Sequence, residues 1–584
     1  MNAQLSANFI TMQNIINCYI RETGKGVWQS VSEMKSEETL VLRLEKQPVT
    51  LYFPVKYRSA TGRHLFFPVF YYRIQKEELK ELDVVTLLAF LLKEVTDHLL
   101  QVNELIVRVL LSYENMKLFI EKRQKELETC YKWDKTFLES EQSLLIGHQL
   151  HPTPKSRQGI LPEEEEVFGP EVNGKFQLHY FRAHKSLVAE QSAESQTASQ
   201  LIKEQLKKDK KVSEEFIQSY CQADDYSLIP MHPLQARYLL GKEEVCEWIQ
   251  KGRLAYLGPH GQPFYPTSSV RTVYSEDADV MYKFSIPVKI TNSLRVNKRK
   301  ELSRGVEVSR LLQEGLQAEL QENHPAFQVI EDPAYITIGK KEFGFEVMIR
   351  SNPFQGEQGN RTTLLASLCQ DHVFGKASQI ENIINHIVSS ENSTNEDISK
   401  RWFKRYLDVS FHPMMWLYTQ KGIALEAHQQ NSVIKLDENG YPSVFYYRDN
   451  QGYYFMKSKE QELRKLLPSL NGESDTVCDD AVAEERFRYY VFFNHILGLV
   501  NAFGAAGLVQ ESDLLLILRQ EIERYKEKDH TELVSSMLEE KVLPCKANFL
   551  TRVHDMDELV GSLETQSVYV NVENPLYESA GVRV

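Results

Sequence analysis

The segment EAHQQNSVIKLDENGYPSVFYYRDNQG, residues 426–452, constrains the fold more than any other stretch. Two strand-like runs, NSVIKL and SVFYYRD, flank DENGYP. The pair Asn439-Gly440 tolerates the positive φ of a tight hairpin turn. Folding the chain about it brings Asn431 opposite Arg448 or Asp449. The cluster Glu426, His428, Gln430 and Asn431 at one end therefore meets Arg448, Asp449 and Gly452 at the other. A carboxylate and an amide oxygen converging there, with Glu426 just upstream, suit a hard cation with oxygen ligands. Mg²⁺ carrying nucleotide phosphates is the guest this donor set predicts. The order Glu426, Asn431, hairpin, Asp449 also parallels the acid, Mg-binding Asn and second acid of a protein kinase, although the first acid is Glu and no DFG follows. A capped hairpin with solvated polar ends is the competing reading.

A chain of 584 residues exceeds one compact core, so two to four domains are expected. It is 42% hydrophobic and 26% charged, the balance of a soluble globular protein. The net charge of −13 argues against nucleic acid or an anionic membrane as the main partner and leaves room for a local basic pocket. The seven cysteines are odd in number, scattered and without a CxxC, which fits a reducing compartment and no zinc site. The first residues lack a basic region followed by an apolar core, and no apolar run approaches the roughly 20 residues that span a bilayer. The expectation is a soluble, cytoplasmic protein with no nucleic-acid or membrane partner.

Periodicity predicts strands within 38–73, helix over 85–127, a solvated EEEE at 163–166 as a loop or helix start, and polar helix over 183–222. Residues 264–296 alternate like strands, 300–320 and 400–421 read as helix, 484–526 as further helices, and the tail from 567 as extended. The fold class is α+β, with boundaries near 130 and within the turn-rich SNPFQGEQGN at 351–360.

Two stretches in the middle suit an anion. YPTSSVRTV (265–273) sets Ser269 among three hydroxyl residues beside Arg271. YKFSIPVKITNSLR (282–295) adds Lys283, Lys289, Thr291, Asn292 and Arg295. Lys283, Lys289, Thr291 and Arg295 share odd parity, so one continuous strand would present them on one face. Arg grips a phosphate or carboxylate through two donors, while Lys acts as a point charge. A solvated sheet face is the alternative. GHQLHPTPKSRQG (147–159) carries His148, His151, Lys155 and Arg157 in a loop stiffened by Pro152 and Pro154, suited to phosphate but short of a third zinc ligand. His232 in IPMHPLQ reads as structural, and Asn494 and His495 in FFNHILGLVNAF as core polar residues paired locally.

These segments, with EAHQQN, YYRDNQG, KANFLTR (546–552) and NPL (574–576), occur in one order over residues 140–576 and resemble the NRPS-independent siderophore (NIS) synthetases, the IucA/IucC or aerobactin-synthetase family. The chain looks most like members of staphyloferrin- and aerobactin-type pathways. One departure is Gln149, where the family often repeats His-Pro; it leaves His151 a better candidate than His148. The resemblance implies a cupped-hand architecture: a thumb over 1–130, a fingers domain over 131–352 for ATP phosphates, and a palm over 353–584 for Mg²⁺ and the carboxylate. It implies ATP- and Mg²⁺-dependent activation of a carboxylic acid as an acyl-adenylate, attack by an amine or hydroxylamine, and release of AMP. By the same resemblance Ser269, Arg271, Lys283 and Arg295 hold the phosphates, with His151 and Lys155 closing on them. Glu426 and Asp449 hold Mg²⁺ beside Asn431. Thr291, Arg295, His428 and Lys546 face the carboxylate, and Arg350 in MIRSNP matches a position near the site. Family members are often dimers, so a homodimer is expected.

Adenylation brings two anions together, and fixed cations with Mg²⁺ must neutralise them. Arg295, Lys283 and His428 are the catalytic candidates, His428 because an imidazole titrates near neutrality. Citrate or a citryl derivative leads as the acid, with α-ketoglutarate behind. A kinase-like phosphotransferase and a non-catalytic binder of polycarboxylates or siderophores are the competing functions.

Overall fold

The structure, a computed structural model, describes residues 2–96, 99–222, 225–291, 293–339, 341–449, 451–554, 556 and 568–579, without the side chains of 99–102. Asn292 lies outside the described residues. Among those described, no helix is long and apolar enough to cross a membrane.

The hairpin forms about Asn439-Gly440. Strand Ser432–Leu436 pairs antiparallel with Pro442–Tyr447, Ser432 facing Tyr447. The Arg448 amide donates to the Asn431 carbonyl at 3.1 Å, so the two polar ends do meet. Gly440 takes φ +93°, and the Asp437 carboxylate accepts the Asn439 and Tyr441 amides, which closes the turn. Phe327–Val329 adds parallel to Pro442–Tyr447, and Thr362–Leu364 covers the other edge. The hairpin's apolar face joins a core with Trp402, Tyr406 and Phe503 from the helices behind it. That core also draws in Val308, Leu312 and Phe327 from before the loop at 351–360.

The middle of the chain builds an eight-stranded antiparallel sheet. Its central strands are Thr272–Tyr274, Val280–Phe284 and Val347–Ser351. Thr272 lies opposite Lys283, and Met281 opposite Arg350. Alternation therefore puts Lys283 and Arg350 on one face, while Tyr282, Phe284 and Ile349 fill the core on the other.

Three expectations change. The strand through Lys283 stops at Phe284. The next strands, Lys289–Ile290 and Ser293–Leu294, form a separate small hairpin on Arg157–Gln158, with Thr291 at φ +52° in its turn. A single strand face therefore does not exist, because Pro287 and this turn reset the parity. The polar helix over 183–222 is in part strand, Phe176–His184 and Val188–Ser192, and only then helix Ala198–Lys208. The predicted helix over 85–127 is Val84–Val95 and Leu99–Arg123, and Thr96 between them is extended.

The N-terminal sheet packs one face against helices Ala3–Thr23 and Val84–Val95 and shares that core with Phe549 and Val553 from the far end of the chain. The buried Glu22 carboxylate accepts the amides of Asn548, Phe549 and Leu550 at 2.7–2.8 Å, capping helix Asn548–Val553. Burial pushes Glu22 up to about 7 despite these donors. The cap holds the segment that begins at Lys546.

Candidate active site

One cavity of about 310 Å³ is lined by His151, Lys155, Ser269, Arg271, Lys283, Thr291, Arg295, Arg350, Glu426, His428, Asn431, Asp449 and Lys546. The hairpin supplies acids to one wall, and the sheet and its turns supply cations to the other.

Lys283, on its central strand, is almost fully buried and reaches Asp449 at 2.8 Å and the Gln451 amide oxygen at 2.8 Å. Arg350 holds the buried Asp332 through two bonds of 2.6 and 2.9 Å and lies 4.0 Å from Asp449. Burial works to raise the Asp449 carboxyl, but Lys283 and Arg350 overcome it and hold it well below the usual carboxylate range. Arg271 donates to Asn297 at 2.7 Å. Burial, then the nearby Arg295 charge, lowers its guanidinium to about 10. A site that disfavours its own cation in this way gains from an anionic ligand.

Arg295 is placed by its backbone. Its amide donates to Val288 and its carbonyl accepts from Ile286, closing the small hairpin. Its guanidinium lies over the Ile290 carbonyl and the Thr291 hydroxyl at 3.2 and 3.3 Å. The Thr291 amide donates to Ser156, which ties this turn to the His151 loop.

On the acid wall, the Glu426 amide donates to the Gly452 carbonyl at 2.8 Å. A Cβ at residue 452 would come 2.5 Å from Glu426 Cβ, so glycine is required there. Burial, then the Asp449 charge, pushes Glu426 up to about 7. Two carboxylates coupled in this way are the donor set a divalent cation with phosphate ligands would use. Among the described residues no group of three or more His, Cys, Asp or Glu could hold a metal unaided. Asp449 sits at φ +89°, Val270 at +67° and Thr291 at +52°. Three non-glycine residues in this sparsely populated region border one cavity, each at a cost of about 1–3 kcal/mol.

Two assigned roles change. Lys155 borders the cavity, but its ammonium is engaged within the protein: it bonds Glu171 at 2.6 Å and the Leu144 carbonyl, in a buried cluster that includes Arg157 and Glu165. The solvated EEEE is thus helix Pro162–Phe168 with Glu165 buried. His428 does not titrate near neutrality, since burial lowers its imidazole to about 3. Its Nδ1 accepts the Gln430 amide at 3.2 Å, and its Nε2 lies 3.3 Å from the Asn431 side-chain nitrogen and 3.7 Å from the Glu426 carboxylate. Lys289 turns away toward Glu104 at 3.8 Å.

Sequence reasoning missed several lining residues. Asn494, expected in the core, borders the cavity and binds the Gln429 amide and His148. Tyr489 and Tyr490 also line it, and Lys546 lies 5.7 Å from the Tyr489 ring centre. Their signal was the polar Asn494 within an apolar helix four and five residues beyond two tyrosines. His495 and His232 are core residues, His495 on Tyr406 and the Ala427 carbonyl.

The IucA / IucC family profile matches residues 136–370, and that described as ferric iron reductase FhuF-like transporter matches 400–561. The chain is 44% identical to the spermidine-citrate ligase of Bacillus anthracis, over 100% of both chains. It is 35% identical to the rhizobactin siderophore biosynthesis protein RhbC of Rhizobium meliloti, over 99% of both. The solved structure of ATP-bound aerobactin synthetase IucA from Klebsiella pneumoniae superposes with a TM-score of 0.88 at 26% identity, covering 97% of this chain and 99% of that one. A relative at 44% identity over the full length, on this fold, places the chain in the IucA/IucC family of siderophore synthetases.

Proposed function

We propose that the chain is an ATP-dependent ligase of siderophore biosynthesis that activates a citrate carboxylate as an acyl-adenylate and joins it to an amine, releasing AMP and pyrophosphate. The observation that carries this reading is one cavity in which Lys283, Arg271 and Arg295 face the coupled carboxylates Glu426 and Asp449. A kinase needs comparable parts for Mg²⁺ and phosphate, but this site adds Thr291, Arg295, His428 and Lys546 as donors for a polycarboxylate. The names of the relatives favour citrate over α-ketoglutarate, and the 44% identical relative favours a polyamine such as spermidine.

In this reading Ser269, Arg271, Lys283 and Arg295 hold the phosphates beside His151. Mg²⁺ delivered with ATP would be held by Glu426 and Asp449 beside Asn431, and would neutralise charge on the phosphates. Lys283 then exchanges Asp449 for phosphate oxygens, and Arg350, anchored on Asp332, keeps Asp449 in place. A citrate oxygen attacks the α-phosphorus as the bond to pyrophosphate breaks, and the fixed cations stabilise the added charge. The neutral His428 faces the substrate and is not the base. The amine nitrogen next attacks the acyl carbon, AMP leaves, and the nitrogen loses its proton; proximity is the main requirement of this step. A cytoplasmic homodimer, and a thumb, fingers and palm divided near 130 and 352, belong to the same proposal by family resemblance.

The test is product analysis with ATP, Mg²⁺, citrate and spermidine. AMP, pyrophosphate and a citryl-spermidine mass are expected, with a hydroxamate when hydroxylamine replaces the amine. ADP would support a kinase, and unconsumed ATP a binder. Arg295→Ala should abolish adenylate formation with an unchanged unfolding midpoint; near-normal pyrophosphate release by that variant removes Arg295 from the site.

A further inference from the structure

We infer that the buried pair Glu141–Arg448 is a positioning clamp that sets nucleotide affinity by holding the Ser269–Arg271 turn against the hairpin. The inference rests on the nucleotide reading above. Glu141 is 1% and Arg448 5% exposed. Arg448 donates to both Glu141 oxygens, at 2.7 and 3.3 Å. It also grips the Gln430 carbonyl through Nε and Nη2, at 3.0 and 2.7 Å.

Ser268 is the residue clamped. Its amide donates to Glu141 at 2.9 Å, its hydroxyl accepts from Arg448 at 3.3 Å, and its carbonyl accepts from the Gln430 side chain at 3.1 Å. Every polar group of Ser268 is thereby held by this cluster. Three segments distant in sequence are joined: helix Phe137–Glu141, the 267–272 turn and the hairpin.

The cluster reinforces a turn with an unfavourable backbone conformation at its centre. Val270, a β-branched residue, sits at φ +67° between Ser269 and Arg271, a conformation such residues rarely adopt unaided. The turn's internal bonds tie Thr267 to Thr272, the Val270 amide to Thr267, and the Arg271 and Thr272 amides to Ser269, and Ser268 is held instead by the Glu141–Arg448 cluster. Arg448 immediately precedes Asp449, so one side chain registers the cation-bearing turn with the acid-bearing strand end. Lysine, a point charge on a flexible stem, cannot span Glu141, Gln430 and Ser268 together.

The test uses the full chain carrying Glu141→Gln with Arg448→Met, because a neutral pair in place of a buried ion pair can leave stability nearly unchanged. Two quantities are read: amide hydrogen exchange at Val270 and Arg271 without ligand, and KM for ATP and for citrate. The clamp predicts faster exchange at both amides, a KM for ATP raised about 10- to 100-fold and a citrate KM within about 2-fold, at a near-wild-type unfolding midpoint. Arg448→Lys should show the same pattern in weaker form. Unchanged exchange and ATP KM in the folded double variant overturn the inference, as does an equal rise in both KM values. If the wild-type protein uses no ATP, the function proposed above fails, and exchange at the turn alone decides the clamp.

Discussion

The two walls of the cavity are held by different means. On the sheet wall each cation has a partner that fixes its direction: Lys283 has Asp449 and Gln451, Arg350 has Asp332, and Arg271 has Asn297. On the hairpin wall burial and then the Asp449 charge raise Glu426 to about 7, while Lys283 and Arg350 hold Asp449 itself low. The cations of the sheet wall are each oriented by a hydrogen bond. In the function proposed above, Mg²⁺ held by Glu426 and Asp449 would relieve the charge on the hairpin wall.

Removing a fixed partner from the sheet wall should have the largest effect. Arg350→Ala leaves Asp332 charged and buried, and the expected loss of stability is about 3–5 kcal/mol by denaturant unfolding. An unfolding free energy within error of wild type would mean that Arg350 is not a structural anchor. Lys283→Ala comes next: it should fold but lose about 10²–10³-fold in the rate of adenylate formation, the usual range for one preorganised electrostatic donor. A rate near wild type would separate the two walls functionally.

The hairpin wall is probed by pH. Because the folded state raises Glu426 above its unfolded value, the native protein binds the extra proton. The associated stability is complete below about 4.5 and lost as pH rises through about 7, an effect on the order of 1–3 kcal/mol. Glu426→Gln should flatten that slope in a pH series of unfolding curves, and saturating Mg²⁺-ATP should stabilise the wild type most above pH 7. Glu22, also raised to about 7, adds a slope of the same sign over the same range, so a slope undiminished by Glu426→Gln would assign it to Glu22 and not to the hairpin wall. The smallest effect on the site is expected from Lys155→Met. Its ammonium serves Glu171, so stability should fall by about 1–3 kcal/mol while KM for ATP changes by less than about 3-fold.

Local features were the legible ones. Asn439-Gly440 announced the hairpin, and the hairpin delivered Asn431 to Arg448, because turn chemistry and strand alternation act over a few residues. Lys283, Thr291 and Arg295 line one cavity, but not for the reason assumed: the strand ends at Phe284, and a turn at Thr291, not shared parity, brings Arg295 there. Lys289 exposes the error, since the same parity sent it elsewhere. Lys155 looked like a phosphate ligand because nothing in its loop announces Glu171, which arrives from a later turn. The clamp was illegible for the same reason, as Glu141 and Arg448 are 307 residues apart.

The most direct test of one shared nucleotide site is citrate-dependent exchange of labelled pyrophosphate into ATP, measured for the wild type, Lys283→Ala and Asp449→Asn. The account predicts exchange that requires citrate and Mg²⁺ and collapses in both variants, one from each wall. Exchange that persists when either wall is altered, or ATP turned over to ADP with no label incorporated, would contradict it.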